Sequence, residues 1–490
     1  MVYPHVFRTE HSETRTTNGE YGEFFAKTLE TKMKIQPSLL KILQYTDSNR
    51  EKFVEDLREF LTIKSISGTL ENLDDANQMV KFVEKWMKKL GVKYECFDIG
   101  TTEIEGKKVS ITPVIIGRLG TSPNKQTLLI YAYLDVKNPD MEKWETDPWD
   151  AVLKNQKLYG NGVAGGKGPL VCWFHVIKAF QDKGTELPVN IQFLVESMHY
   201  KNSQNLEDFI TNNRQRLFPD ISSTIVNDCE WMGVKYPCIF YGCIGILHFM
   251  LTVTKKENST ADPKEDMNKI FKEMVDEEGN ILIPNFADFV QQITPDEENI
   301  YEHMPRANLP PYQQKWDKVQ MLMHFWRLPS IFLDEILECN CDKQDFSTIK
   351  RHFVIKIVPR QVDYKTAELV QNFVKDTRKK LKIESKMECE LISSSRPWVE
   401  SVSSPQYIAA ARATIQIYKM KPSLIREDRN IPIVSMLSKV MEKPVMLLPL
   451  PSMGANISEP NENISLKNYY EGTKLLAAYI LQIAEMKNVK

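Results

Sequence analysis

The sequence predicts an α/β protein with a doubly wound, mostly parallel sheet and an inserted α+β domain. Nearly continuous apolar runs at 127–136, 189–196 and 221–228 are typical of strands buried on both faces, and a helical pattern at 169–181 lies between the first two. From about residue 244 to 395, half-exposed strands alternate with amphipathic helices instead. The first pattern favours a parallel sheet, and the second favours a separate inserted domain.

The residues before the first buried strand predict a tail followed by two helices. Residues 1–38 are mostly polar and show no apolar periodicity, so we expect them to build no core of their own. Segments 50–61 and 74–90 repeat apolar residues at helical spacing, and Gly91 is expected to end the second helix.

The remaining elements fall into two groups. The inserted domain is expected to contain three strands, at 246–254, 352–359 and 387–392, and two helices, at 262–276 and 365–381. The buried pattern then resumes with one strand, at 445–449, and two helices, at 407–418 and 467–486. The chain is thus predicted to divide into three units. They are a tail at residues 1–38, a discontinuous α/β domain at 39–243 and 396–490, and an inserted lid at 244–395.

Composition argues against several classes of function. The formal net charge of the 490 residues is −2, so no overall attraction to nucleic acid or anionic lipid is expected. No stretch reaches the roughly 18 apolar residues of a membrane helix, and the first residues lack the apolar run of a signal peptide. The eight cysteines lack zinc-finger spacing. We therefore expect a cytoplasmic protein with reduced thiols.

Five short segments follow one another in the order of a two-metal hydrolase site, at 131–136, 159–169, 196–206, 227–231 and 446–463. Arg-Pro-Trp-Val at 396–399 and Tyr-Glu-Gly-Thr-Lys-Leu-Leu-Ala-Ala-Tyr at 470–479 accompany them. With these motifs, residues 39–488 resemble the carnosine dipeptidase branch of the dizinc metallopeptidases. The resemblance implies a dizinc exopeptidase-like α/β domain, a lid that also serves for dimerisation, and hydrolysis of dipeptides.

Most metal-ligand positions that the resemblance implies hold residues unsuited to a metal. These positions are occupied by Tyr133, Gly165, Tyr200 and Ser458, and only Asp228 keeps a ligand carboxylate. A phenol ionises only near pH 10, so at neutral pH it is a poor zinc ligand compared with imidazole. The resemblance implies a bridging aspartate at Gly165, which has no side chain.

The position of the general base is also changed. The resemblance implies paired glutamates, and this chain has His199 followed by Tyr200. A histidine can act as a general base, but the resemblance implies a metal-held water for it to activate. At the last ligand position a gapped alignment would place Asn456 instead of Ser458, and neither is expected to bind a metal.

The substrate-binding residues that the resemblance implies differ as well. Ile244 and Lys356 each stand in place of an arginine. A lysine keeps the charge but lacks the planar fork that binds a carboxylate through two hydrogen bonds. After Glu427, the charged residues Asp428 and Arg429 replace two glycines, which is expected to fill part of the substrate site.

From these substitutions we predict a protein with a peptidase fold but without bound metal, cofactor or enzymatic activity. Its expected role is that of a structural or scaffolding component in a larger intracellular assembly. Two alternatives stay open. In the first, the cleft that corresponds to the peptidase active site holds a peptide or a regulator. In the second, the chain is a metallodipeptidase with altered metal use.

The expected partners are other proteins rather than nucleic acid or membrane. The tail is predicted to contact them through aromatic anchors at Tyr3, Phe7, Tyr21, Phe24 and Phe25, as in polar segments that fold on binding. By resemblance, the lid implies a homodimer. A cytoskeletal, ciliary or flagellar location is the hypothesis that goes with the assembly role.

Overall fold

The described part of the chain comprises residues 35–276, 279–304, 317–339 and 348–486 of a computed structural model. The predicted tail contacts, Tyr3, Phe7, Tyr21, Phe24 and Phe25, lie outside these residues. Within these ranges no helix is both long enough and apolar enough to cross a lipid bilayer.

Twelve helices are named here in chain order. They are α1 Pro37–Ser48, α2 Arg50–Leu61, α3 Leu73–Lys89, α4 Lys167–Asp182, α5 Leu206–Leu217, α6 Pro263–Met274, α7 Pro295–His303, α8 Lys318–Trp326, α9 Asp363–Lys380, α10 Pro405–Tyr418, α11 Pro432–Met441 and α12 Leu466–Glu485. A short 3-10 helix spans His199–Lys201.

The strands, also in chain order, are β1 Lys93–Phe97, β2 Thr101–Ile104, β3 Lys107–Ser110, β4 Val114–Leu119, β5 Thr127–Tyr133, β6 Val152–Lys154, β7 Lys157–Tyr159, β8 Asn190–Glu196, β9 Ile221–Val226, β10 Cys238–Thr254, β11 Ser330–Cys339, β12 Thr348–Ile357, β13 Lys386–Ser395, β14 Trp398–Val399, β15 Ser423–Asn430, β16 Val445–Leu447 and β17 Asn463–Ser465.

The centre of the main sheet is parallel, as predicted. β5 lies between β8 and β9 and runs parallel to both, and β9 pairs with β16 in parallel. β1 and β4 extend the sheet in antiparallel fashion. The prediction of a doubly wound, mostly parallel sheet is therefore confirmed, with an antiparallel edge that the apolar runs did not indicate.

Both faces of β5 are buried, which explains its unbroken apolar sequence. Leu128 and Ile130 belong to the core that α4 and α12 cover, whereas Leu129 and Tyr131 belong to the core on the opposite face. Successive strand residues point to opposite faces, so a strand that is covered on both sides has no polar position. The last residue, Tyr133, is 2% exposed and extends the second core to the edge of the sheet.

The strand predicted at 246–254 is the second half of a longer strand. Residues 238–244 of β10 pair with β15 and β14 in the main sheet, and residues 245–254 pair with β12 and β13 in the lid sheet. Helices α6 and α9 supply side chains to the core on one face of the lid sheet. One continuous strand thus joins the two parts of the molecule.

The segment between α6 and β11 packs partly on the α/β domain. Tyr301 of α7 and Trp326 of α8 contribute to the same core as Ile425 of β15. Buried Glu297 of α7 accepts hydrogen bonds from Tyr241 and from Tyr301, and its carboxylate lies 2.7 Å from the guanidinium of Arg426. The lid limits of 244–395 remain a prediction, although α7 and α8 lie against the neighbouring core.

Candidate functional site

The candidate site lies at the carboxyl ends of the parallel strands. Tyr133 ends β5 and pairs with Glu196, which ends β8, and Asp228 follows β9 by two residues. Parallel α/β sheets bind ligands at this edge because their loops converge there.

Tyr133 is the central residue of the site. Its hydroxyl group donates a hydrogen bond of 2.8 Å to Asp228 Oδ1 and accepts one from the Tyr200 hydroxyl at 3.5 Å. Tyr200 in turn hydrogen-bonds to the hydroxyl group of Ser458. The structure therefore brings together four of the five residues that the sequence places at metal-ligand positions, and they are joined by hydroxyl groups and one carboxylate.

Gly165, the fifth, makes room for Tyr133. A Cβ atom on Gly165 would lie 2.5 Å from the Tyr133 hydroxyl oxygen and 3.0 Å from Ile457 Cγ2. Real Cβ atoms are essentially never this close to an oxygen. The residue types at positions 133 and 165 are therefore coupled, since the tyrosine fills the space that a side chain at position 165 would need.

The loop that carries Gly165 is held by a carboxylate that the sequence analysis missed. Glu462, 1% exposed, accepts hydrogen bonds of 2.8–2.9 Å from the backbone N–H groups of Gly162, Ala164 and Gly165. Burial raises the pKa of Glu462, and these hydrogen bonds oppose that effect. Nothing in its local pattern marks it, because its partners are about 300 residues away.

His199 is stacked on Tyr133, with ring centroids 3.9 Å apart and planes 7° apart. Its Nδ1 lies 2.9 Å from the hydroxyl group of Tyr131, which donates its own proton to Glu196 at 2.6 Å. When the Tyr131 proton is donated to Glu196, Tyr131 accepts from Nδ1–H, and Nε2 of a neutral ring is then the free acceptor. Nε2 lies 3.5 Å from Asp228 Oδ2, so His199 and Asp228 face each other across the site.

Asp135 holds the backbone of this segment in place. Its two carboxylate oxygens accept from the N–H groups of His199 and Tyr200 at 3.1 and 3.0 Å. Burial raises the pKa of Asp135 and raises that of Glu196 to about 7. Tyr131, which connects Glu196 to His199, is a second residue that the sequence analysis did not select.

The predicted substrate residues separate into buried and accessible positions. Ile244 is buried, and Lys356 is buried with its ammonium group donating to the His324 carbonyl at 2.8 Å. Burial lowers the pKa of Lys356 to about 8. Buried Glu427 binds the guanidinium of Arg429 through hydrogen bonds of 3.2 and 2.9 Å.

Arg429 is an accessible cation near the site. Its side chain is 46% exposed, and the neighbouring Asp428 is exposed as well. Burial lowers the pKa of Arg429, but the charges of Glu427 and Asp228 raise it above its ordinary value overall. Burial also raises the pKa of Glu230, and the positive charge of Arg429 opposes that effect. An exposed guanidinium is thus electrostatically coupled to the acidic groups of the site.

The chain belongs to peptidase family M20/M25/M40, whose model matches residues 129–482. It is 30% identical to the human Beta-Ala-His dipeptidase over 92% of this chain and 94% of the relative. It is 29% identical to the Cys-Gly metallodipeptidase dug1 of Schizosaccharomyces pombe over 92% of this chain and 99% of that protein.

Solved structures agree with this assignment. Human carnosine dipeptidase 1 superposes with a TM-score of 0.79 at 29% identity, covering 92% of this chain and all of that one (100%). The dipeptidase Dug1p from Saccharomyces cerevisiae superposes with a TM-score of 0.78 at 26% identity, covering 91% and 98% of the two chains. The predicted fold and family are confirmed.

The side chains that the structure places at this site do not fit a pair of metal ions. Among the described residues, no three His, Cys, Asp or Glu side chains are grouped so that they could hold a metal. Burial and the charge of Asp228 raise the pKa of Tyr133 well above 10, and burial also raises that of Tyr200. Neutral phenols that hydrogen-bond to each other are poor ligands for a divalent ion.

The comparisons contradict the prediction that the chain is not an enzyme. Relatives that are 27–30% identical over 92% of the chain are named as dipeptidases, which points to an enzyme. The prediction equated loss of metal ligands with loss of activity. Other acid–base groups remain at the same edge of the sheet, among them His199, Glu196 and Asp228.

Proposed function

We propose that this site binds short peptides whose two ends carry opposite charges. The observation that carries the proposal is a half-exposed cation, Arg429, which Glu427 holds and whose charge interacts with the carboxylate of Asp228 at the carboxyl edge of the sheet. A free dipeptide offers a carboxylate to a guanidinium and an ammonium group to a carboxylate. The names of the relatives, Beta-Ala-His and Cys-Gly dipeptidases, support ligands of this size.

Glu427 prepares Arg429 for this role. It binds Nε and one terminal nitrogen of the guanidinium, so the group is fixed in orientation while its other terminal nitrogen remains available. Because the side chain is already held, less rotational freedom is lost when a ligand binds. Arg429 is thus suited to receive the carboxyl end of a peptide.

Hydrolysis of the bound peptide is the second candidate function, and the geometry of His199 favours it. The hydrogen bond to Tyr131 sets the tautomer, so Nε2 can accept a proton from an attacking water. Asp228, 3.5 Å away, would stabilise the imidazolium that forms. The peptide C–N bond then breaks as the imidazolium returns this proton to the leaving amine nitrogen, so the step consumes one water and leaves His199 neutral again.

The assembly role, the tail contacts and a homodimer through the lid remain separate proposals. A homodimer through the lid is compatible with peptide binding, because the described lid helices α6 and α9 pack into the core of the lid sheet. The cytoskeletal or ciliary location depends on the assembly role and is a proposal of the same kind.

Calorimetric titration of the full chain with Beta-Ala-His and Cys-Gly tests the first proposal. We expect saturable binding that is weakened about tenfold by Arg429→Gln and by Asp228→Asn, since each change removes one charged contact. Lys421→Gln, at an exposed lysine outside the site, is the matched control and should bind as the unmodified chain does. Absence of binding at millimolar peptide, or equal affinity in all variants, would refute it.

A further inference from the structure

A separate cavity lies at the opposite edge of the central sheet. Its volume is about 630 Å³, within the range of roughly 300–1,000 Å³ that is usual for sites of small ligands. It is lined at the amino end of β5 by Thr127, whereas Tyr133 ends the same strand at the candidate site. A strand of this length separates the two places by roughly 20 Å.

The wall of this cavity carries more positive than negative charge. Arg118, Lys125 and Lys443 line it, against a single carboxylate, that of Asp220. Arg118 uses one terminal nitrogen to donate to the Leu217 carbonyl, which leaves most of its five N–H groups for a ligand. Lys443 is exposed at the rim.

Lys125 is partly neutralised. Its ammonium group pairs with Glu186 and donates to the Leu187 carbonyl at 2.6 Å. Arg118 and Lys443 are therefore the cations on which an anionic ligand would chiefly depend.

Hydroxyl groups supply further donors on the same wall. Ser222 Oγ accepts from the backbone N–H of Thr127 at 3.2 Å, so its own proton is free to donate. The Thr127 hydroxyl accepts from Asn190 at 3.3 Å and likewise keeps its proton. Ser122 adds a third hydroxyl group to the wall.

Hydrogen bonds within the chain fix the position of this wall. Buried Asn190 accepts from the N–H of Ser122 at 3.1 Å and donates to the Ser122 carbonyl at 2.8 Å. Gly120 has a φ of +83°, and a Cβ there would lie 2.9 Å from Asn190 Oδ1, so the loop is seated closely on this side chain. A fixed set of donors lowers the entropic cost of binding.

We propose that this cavity binds a small phosphate ester. Two or three cations and three hydroxyl donors exceed what a carboxylate, with two oxygens, can use, whereas a phosphate group offers three or more acceptor oxygens. The volume leaves room for the organic part of the ester beside the charged group. This site is independent of the peptide site, and neither proposal depends on the other.

The test uses the full chain with two probes, inorganic phosphate and adenosine monophosphate, followed by calorimetry and by phosphorus NMR. We expect one saturable site per chain that is weakened about tenfold by Lys443→Met and by Arg118→Lys. Arg118→Lys keeps a positive charge at this half-buried position, so folding should be retained. Lys421→Met, at an exposed lysine outside the cavity, is the matched control.

Three results would overturn the proposal. One is no saturable binding of either probe at millimolar concentration. Another is binding that Lys421→Met weakens as much as Lys443→Met does, because it would then reflect general surface charge. Equal binding of acetate and phosphate would also refute it, since it would show a site for carboxylates.

Discussion

The Tyr133 hydroxyl oxygen lies 2.5 Å from the point where a Cβ of residue 165 would be, so this tyrosine and Gly165 fit only as a pair. The same hydroxyl group binds Asp228 at 2.8 Å and thereby connects the end of β5 to the segment after β9. In this chain a tyrosine and a glycine thus stand together at two positions where the family resemblance implies metal ligands.

Gly165→Ala should lower the free energy of unfolding by about 1–3 kcal/mol, because the added methyl group overlaps the Tyr133 hydroxyl. In a Tyr133→Phe background the loss should be smaller, since the next ring atom, Cζ, is 3.6 Å away. Urea denaturation of the unmodified chain, the two single variants and the double variant measures this coupling. Tyr479→Phe, at a buried tyrosine elsewhere, is the control background, and equal losses in all backgrounds would contradict the coupling.

Stability should fall as pH rises from about 4.5 to 7, partly because of Glu196. Burial raises the pKa of Glu196 to about 7, and its Oε2 is buried without a hydrogen-bond partner among the described residues. The unfolded chain ionises this group near pH 4.5 and the folded chain only near 7. The raised pKa of an acid therefore costs stability above the unfolded value, on the order of 3 kcal/mol once pH exceeds 7.

Glu196→Gln should remove that part of the pH dependence and leave the part due to Glu427, whose pKa burial also raises to about 7. Urea unfolding at several pH values between 4.5 and 8 measures the slope. Glu388→Gln, at an exposed position, should leave the slope unchanged. A slope that persists in full after Glu196→Gln would show that Glu196 is ionised in the folded chain at these pH values.

Removal of divalent metals should leave thermal stability and peptide affinity unchanged. Among the described residues no group of three suitable side chains could hold an ion, so a chelator has no bound metal to withdraw. Elemental analysis of the purified protein and melting curves with and without EDTA check this. Two equivalents of metal per chain that are lost on Asp228→Ala would contradict it and revive the metallodipeptidase with altered metal use.

If the bound peptide is hydrolysed, His199→Ala should lower kcat by about 100-fold or more while changing the peptide Kd little, because His199 is placed as the base. Tyr131→Phe should lower kcat less, since it removes only the group that sets the tautomer. Steady-state rates on Beta-Ala-His, with EDTA present, give kcat for each variant, and calorimetric titration gives the peptide Kd. A rate that His199→Ala leaves intact would exclude this base.

Deletion of residues 1–34 should leave the melting temperature nearly unchanged but remove the chain from its protein partners. The cut is placed there because Ile35 packs against the first core and Gln36 hydrogen-bonds to Glu485. Co-purification from the native source compares the two forms. Retention of the same partners by the shortened chain would place their interface on the α/β domain or the lid.

Much of the fold is predictable from local sequence. The runs at 127–136, 189–196 and 221–228 are the central strands, and the patterns at 365–381 and 467–486 are α9 and α12. These elements are long or buried on both faces, so their periodicity is unambiguous. The antiparallel edge at β1 and β4 was missed because its first strand is largely exposed and its residues alternate little.

The sequence by itself determined the family, the order of the buried strands and the residue types at the former ligand positions, since each is recorded in short contiguous motifs. Only the tertiary structure decided what those residues do together. The hydrogen bond between Tyr131 and Glu196 joins residues that are 65 positions apart in the sequence, and the one between Glu462 and Gly162 joins residues that are 300 positions apart. No local pattern could reveal either contact. The space that Tyr133 takes beside Gly165 depends on packing in three dimensions, which spacing along the chain does not specify.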